Sequence, residues 1–357
     1  MNNNTDIFIG DIERIAESIY RQASVLEGKT LLITGGSGFL GRYITSTISF
    51  LDQNYFKRHC RIISIDNNIT SSVKDNLPFI NNKKFTFIKH NIKNPINLSC
   101  KIDYIIHAAG IASPIYYHKY QLETIEVAVI GTKNILELSR SKKVKSLLFF
   151  SSSEIYGDPP ADCIPTKETY KGNVSSIGPR SCYDESKRLG ESLCLAYFNK
   201  YRVPVKITRP FNIYGPGMKY DDYRVIPSFI YSALKKRNLI VHAKGVQTRS
   251  FCYISDATIG FFQILFSNKK FNVFNIGNEH DEISISRLAK YINQIFNNKL
   301  TIRSIKYPKD YPQDEPQRRC PDLTKARVQL GYDPVIDLET GLRRTIEWCI
   351  NNWNLKK

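Results

Sequence analysis

The run Lys29-Thr30-Leu31-Leu32-Ile33-Thr34, followed by Gly35-Gly36-Ser37-Gly38-Phe39-Leu40-Gly41-Arg42, decides the fold. The first six residues are apolar and β-branched, the signature of a buried strand. Glycines then recur as Gly-x-x-Gly-x-x-Gly at 35, 38 and 41. Such spacing permits a tight turn, a close approach of backbone to a pyrophosphate and close helix-to-strand packing, with the phosphates at a helix N-terminus. A lone glycine motif says little; strand, glycines and helix in that order supply its context. The expected dinucleotide contacts are Gly35, Ser37, Gly38, Phe39, Leu40 and Gly41.

Working outward, Arg61 to Ile65 reads as a second strand ending in Asp66-Asn67. An acid there accepts both ribose hydroxyls of an adenosine and repels a 2′-phosphate, and no Arg follows closely, so NAD is expected rather than NADP. Lys84–Lys89 is a third strand. Asp103–His107 is a fourth and runs into Ala108-Ala109-Gly110, where small residues let a loop pass under the cofactor; His107 is read as structural. An Ile- and Val-rich helix follows to about Arg140, then strand Lys145–Phe150. Strands alternating with helices imply an α/β chain with a doubly wound parallel sheet.

That fifth strand ends in Ser151-Ser152-Ser153-Glu154-Ile155-Tyr156-Gly157, at the sheet edge where ligands sit in such folds. A hydroxyl there can bind a sugar oxygen, and Glu154 can serve as acid or base; a Ser-rich turn is the plainer alternative. Downstream, Ser181-Cys182-Tyr183-Asp184-Glu185-Ser186-Lys187 puts Tyr183 and Lys187 one helical turn apart on one face. An ammonium beside a phenol favours the phenolate, which suits proton transfer while a cofactor takes a hydride.

Together these segments resemble the extended short-chain dehydrogenase/reductase family, the NAD-dependent nucleotide-sugar epimerase/dehydratase group. The resemblance runs from about Lys29 to about Asn352. It also rests on Arg209-Pro210-Phe211-Asn212, Tyr214-Gly215-Pro216, Gln247 to Phe251 and Asn275-Ile276-Gly277. It implies a Rossmann-type sheet with a smaller mixed α/β C-terminal substrate domain, a redox triad of Ser152, Tyr183 and Lys187, and Asn212 and Arg249 on the nucleotide diphosphate. Tyr170 to Asn173, Ile177 to Arg188 and Pro316 to Leu323 resemble the UDP-glucuronate decarboxylase branch. That resemblance implies C4 oxidation of a nucleotide hexuronate and then decarboxylation, with Glu154 catalytic and Ser153, Arg180, Arg224 and Arg319 on the substrate. Arg180, three residues before Tyr183, can grip a carboxylate with two parallel hydrogen bonds. Ser153 stands where 4,6-dehydratases of the family carry an acidic Asp. An epimerase or dehydratase acting on a neutral hexose is the alternative, and a non-catalytic binding protein a third. The chain departs from the family at Asn91, Ala128, Ser186 and the loop Met218 to Val225.

The implied organisation is an N-terminal helical extension over 1–28, an NAD-binding domain over 29–212 with a return segment near 251–260, and a mostly substrate-binding region over 213–352. In the extension, Ile9, Ile12, Ile15 and Ile19 recur at helical spacing, with Asp6 as a candidate cap. Further helices are expected from Pro227 to Lys236, from Ser284 to Phe296 and from Leu338 to Asn351, and a loop from Tyr307 to Pro321 over the substrate.

The 357 residues are 42% hydrophobic and 24% charged, ordinary for a folded globular chain. The net charge of +18 is spread along the sequence without a basic tail or nucleic-acid motif, so an anionic ligand is expected and nucleic acid is not. No apolar run spans a bilayer, and no membrane partner is expected. The eight Cys form no Cys-x-x-Cys pair, which argues against a metal and fits a reducing cytoplasm. The family resemblance implies a homodimer.

Overall fold

The computed structural model describes residues 7–70, 84–307, 316–353 and 355. The strands are β1 Thr30–Thr34, β2 Arg61–Asp66, β3 Phe85–Lys89, β4 Tyr104–His107, β5 Ser146–Phe150, β6 Val205–Pro210, β7 Ile213–Tyr214, β8 Leu239–His242, β9 Thr248–Arg249, β10 Cys252–Tyr253, β11 Phe271–Ile276, β12 Ile283–Ser284, β13 Ile302–Ile305 and β14 Arg318–Arg319. The helices are α1 Ile7–Ala23, α2 Phe39–Asn54, α3 Pro114–Lys119, α4 Gln121–Glu126, α5 Thr132–Lys142, α6 Ser181–Tyr201, α7 Val225–Leu234, α8 Ile254–Phe266, α9 Ile285–Ile295, α10 Thr324–Leu330 and α11 Leu338–Asn352.

Seven strands form one parallel sheet in the order β11-β6-β5-β4-β1-β2-β3. The order reverses between β1 and β4, which opens a crevice at their carboxyl ends. Strand residues alternate between the two faces. Leu31, Ile33, Tyr104, Ile106, Leu148 and Phe150 join a core with α1, α2 and α8. Leu32, Ile63, Ile105, Leu147 and Phe149 face α5 and α6. Burial on both faces explains why these strands read as continuous apolar runs.

The expected N-terminal helix forms and lies against α2 and α8, its Ile12, Ile15 and Ile19 fully buried. Its candidate cap Asp6 lies outside the described residues. Asp11 is pinned within the layer: it accepts from Tyr43 Oη at 3.1 Å, Tyr253 Oη at 2.8 Å and Arg344 Nη2 at 2.7 Å. Burial outweighs these partners and lifts its carboxyl from 3.8 to about 6.

Two features differ from expectation. The helix expected up to Arg140 is interrupted at Tyr120 and widens into one π-helical turn over Val127–Gly131. That turn packs tightly, since a Cβ on Gly131 would lie 2.7 Å from Ile92 Cδ1. Also, Phe271–Ile276 extends the return of the chain to the main sheet, pairing with β6 as its edge strand. Residues 308–315 of the expected Tyr307 to Pro321 loop lie outside the described residues; its end forms β14, parallel to β9.

Candidate active site

Residues expected at the site gather at the carboxyl ends of the main strands. After β1, Gly35 adopts φ +73°. A Cβ there would lie 2.8 Å from the Ala108 carbonyl, and one on Gly41 would lie 2.0 Å from Gly35 O. The two glycines thus let the β1 turn, the start of α2 and the β4 turn converge. Gly38 is the N-cap of α2 and makes no side-chain cap bond, which leaves amide donors at the helix end where an anion fits. Phe39 and Leu40 open that helix.

Asp66 ends β2, and its carboxylate accepts from Ser37 N at 3.0 Å and Asn68 N at 2.8 Å. Asn67 accepts from Ile69 N. A cleft runs over these groups, lined by Gly35, Gly38, Asp66, Asn67, Ile92, Ala108, Ala109, Gly110 and Ile111. Side-chain-free backbone under it, a bare helix N-terminus and a carboxylate at one end together fit a dinucleotide. His107 beneath it bridges Thr34 Oγ1 and Thr132 Oγ1 at 2.7 and 3.1 Å. Burial, with Lys187 nearby, lowers its imidazole to about 3, so it is neutral and structural.

Tyr183 and Lys187 lie buried on α6 beside this cleft. Lys187 Nζ donates to Phe150 O at 2.7 Å, under Gly110, where a Cβ would come within 3.2 Å of it. Burial lowers Lys187 from 10.5 to about 8. The Tyr183 phenol does not follow the expectation of a lowered pKa. Burial raises it above 10, and the hydrogen bond with Ser152 opposes that rise. Lys187 Nζ sits 5.8 Å from the Tyr183 ring centroid and donates to Phe150 O. Tyr117 stacks on Tyr183 with ring centroids 5.3 Å apart. Ser152 caps a short 3₁₀ turn, Ser153–Tyr156, by accepting from Glu154 N.

Glu154 lies between two buried arginines. Arg319 Nη1 and Nη2 donate to its two oxygens at 2.5 and 2.6 Å, and Arg180 Nη2 donates to Oε2. Arg180 Nε also faces Asp184 Oδ2 at 3.5 Å. Arg180, expected to face a substrate, is therefore tied to Glu154 here. Asp184 was not singled out from the sequence, although it follows Tyr183 directly; its signal was its place one turn from Arg180.

Register places Arg249 on β9 beside Arg319 on β14. Arg249 Nη1 donates to Thr248 O and Gln317 O. Asn212, in the left-handed region at φ 42°, donates to Ser250 O at 2.9 Å. Arg224 is paired with Asp222, Nε lying 2.9 and 3.0 Å from its oxygens, and its guanidinium lies 5.9 Å from the Phe39 ring. The charge of Arg224 is among those that oppose the burial-driven rise of the Tyr183 phenol. Asp222 is a partner that sequence reasoning missed. Among the described residues no cluster of His, Cys, Asp and Glu is arranged to hold a metal.

The model of the NAD dependent epimerase/dehydratase family matches residues 31–277. The chain belongs to this family. Its members include proteins much like it along most of their length. UDP-glucuronic acid decarboxylase 5 of Arabidopsis thaliana is 38% identical over 313 residues, 87% of this chain and 86% of that one. UDP-glucuronic acid decarboxylase 1 of Xenopus tropicalis is 38% identical over 320 residues, 90% of this chain and 72% of that one. Among solved structures, UDP-glucuronic acid 4-epimerase from Bacillus cereus in complex with UDP-glucuronic acid and NAD aligns with TM-score 0.73 and 25% identity, covering 90% of this chain and 99% of that one. For this family member, then, the fold agrees with the sequence reading.

Proposed function

We propose that the chain is an NAD-dependent nucleotide-sugar decarboxylase that acts on a UDP-glucuronate-like hexuronate. The observation that supports this reading is the likeness along most of the chain to UDP-glucuronic acid decarboxylases, with Arg180 and Arg319 fixing Glu154 beside Tyr183. Ser153, in the position a dehydratase would fill with an acid, is too weakly acidic to expel a hydroxyl as water.

NAD, when bound in the glycine-lined cleft, supplies a hydride acceptor for the sugar C4. The glycine turn and the α2 N-terminus would hold its pyrophosphate, and Asp66 with Asn67 its adenosine ribose. Ser152 donates to the C4 oxygen. Tyr183 takes the C4 hydroxyl proton as its phenolate, a form that burial opposes and that the hydrogen bond with Ser152 and the charges of Arg224 and Arg180 favour. The resulting C4 ketone is β to the C5 carboxylate, so the C5–carboxyl bond breaks, carbon dioxide departs and the electron pair becomes an enolate. C5 of the enolate regains a proton from a water positioned by Glu154, whose carboxylate Arg319 orients, and the proton received by Tyr183 balances the hydroxide left. Arg180, bonded to Glu154 and facing Asp184, helps fix Glu154 in place, while Asn212, Arg224 and Arg249 are assigned to the diphosphate. The region beyond Ile213 is assigned to seating the nucleotide sugar.

We also assign a homodimer. Helices α4 and α6 pack side by side and, with the π turn, leave Leu122, Ile125, Ile130, Leu189 and Leu195 exposed. A cytoplasmic location is part of the same proposal. No helix among the described residues is long and apolar enough to cross a membrane.

The test is incubation of the protein with NAD and a panel of UDP- and dTDP-hexoses and hexuronates, read by mass spectrometry. Loss of carbon dioxide from a hexuronate is expected. Loss of water, or an isomer of unchanged mass from a neutral hexose, would replace this reading with a dehydratase or an epimerase.

A further inference from the structure

On its far side, the turn that carries Ser152 and Glu154 is anchored in a buried network that the proposed chemistry does not use. Tyr156 closes the same 3₁₀ turn two residues after Glu154 and is 2% exposed. Its hydroxyl donates to Asn275 Oδ1 at 2.7 Å and accepts from Arg209 Nη1 at 2.7 Å. Arg209 is fixed in turn by Glu191, whose two oxygens lie 2.9 and 2.6 Å from its Nε and Nη2. Glu191 is one turn beyond Lys187 on α6. The Ser152–Glu154 turn and the Tyr183–Lys187 helix therefore share one brace.

Asn275 extends the brace to the third catalytic segment. Fully buried at the carboxyl end of β11, it donates Nδ2 to Thr166 O at 2.8 Å and to Asp322 O at 3.2 Å. Thr166 N in turn donates to Cys320 O at 2.9 Å, and Asp322 N to Thr166 O at 3.0 Å. Cys320 follows Arg319 directly. One amide thus joins the turn bearing Glu154 to the segment bearing Arg319, the two halves of the bidentate pair in the site. Its chemistry suits only an amide: two carbonyls require donors on one side, and the phenol requires an acceptor on the other. A carboxylate would set oxygen against oxygen, and an alkyl group would strand three buried polar atoms.

We propose that Asn275 and Tyr156 are positioning residues that set the separation and angle of Glu154 and Arg319, and so the efficiency with which the decarboxylated sugar is protonated. This rests on the assignment of Glu154 and Arg319 to the substrate. Neither Asn275 nor Tyr156 lines the dinucleotide cleft, so their loss should leave the cofactor in place.

The experiment uses the full chain with NAD and UDP-glucuronate and compares Tyr156→Phe, Asn275→Asp, Glu154→Gln and the double variant Tyr156→Phe/Glu154→Gln. Misplaced catalytic groups typically cost up to about 100-fold. Tyr156→Phe is expected to lower kcat by about 10- to 100-fold, with KM and the NAD dissociation constant within about twofold of wild type. The same substitution should cost little more once Glu154 is Gln, because it acts through that carboxylate. Asn275→Asp should reproduce the kcat loss; if that variant does not fold, Tyr156→Phe decides alone. An unchanged kcat in Tyr156→Phe, or a full additional loss in the double variant, overturns the proposal and leaves the site assignment standing. An unchanged rate in Glu154→Gln overturns the site assignment, and the proposal with it.

Discussion

Lys187 gives the most quantitative test of how the site is built. Its ammonium is 4% exposed and burial brings it from 10.5 to about 8. At about 1.4 kcal/mol for each pH unit between those values, holding the charge in the fold costs about 3 kcal/mol at pH 7. Replacing Lys187 with Met removes that cost and keeps the apolar stem. It also loses the hydrogen bond to Phe150 O, worth about 1 kcal/mol. Lys187→Met should therefore be inactive yet more stable by about 2 kcal/mol at pH 7, measured by equilibrium urea unfolding of the NAD-free protein. Between pH 8 and 10.5 the unfolded chain binds the proton that native Lys187 has shed. Wild-type stability then rises relative to the variant, and the gap should close across that window. A variant less stable than wild type at pH 7, or a gap that does not move with pH, refutes the reasoning.

Four further predictions follow from the geometry. Gly41→Ala puts a methyl 2.0 Å from Gly35 O, so NAD affinity should fall by at least about tenfold in a fluorescence titration. Because burial raises Asp11 from 3.8 to about 6, the native state holds that proton more tightly than the unfolded chain. Wild type should lose about 3 kcal/mol relative to Asp11→Asn between pH 4 and pH 6 in the same unfolding assay, and a flat difference would refute it. Leu122→Glu with Leu195→Glu, both on exposed helix faces, should give a monomer by light scattering. Asp66→Ala removes charge-assisted bonds worth about 2 kcal/mol; it should weaken NAD by about 30-fold and narrow the preference over NADP.

The sheet was legible because strands buried on both faces are unbroken apolar runs, and the turn after β1 because only glycine fits there. Helix α8 was not legible. It lies between the sheet and α1 with Phe261, Phe262, Ile264 and Leu265 all buried, so its apolar residues show no one-sided period. Strand β11 is interrupted by Asn272 and Asn275, and the second of these serves the buried brace rather than the strand's apolar face. Within the site, sequence named Ser152, Glu154, Tyr183 and Lys187. It could not show that Arg180 meets Glu154, or that Asp222 holds Arg224, because those pairings depend on chain segments brought together only by the fold. Spacing placed Lys187 near Tyr183, but it could not show the burial that raises the phenol.

The most direct test of the central claim is release of labelled carbon dioxide from carboxyl-labelled UDP-glucuronate, by wild type and by Tyr183→Phe, each with NAD. Release by wild type and none by the variant is the predicted result. No release by NAD-bound wild type, or equal release by both proteins, would contradict it.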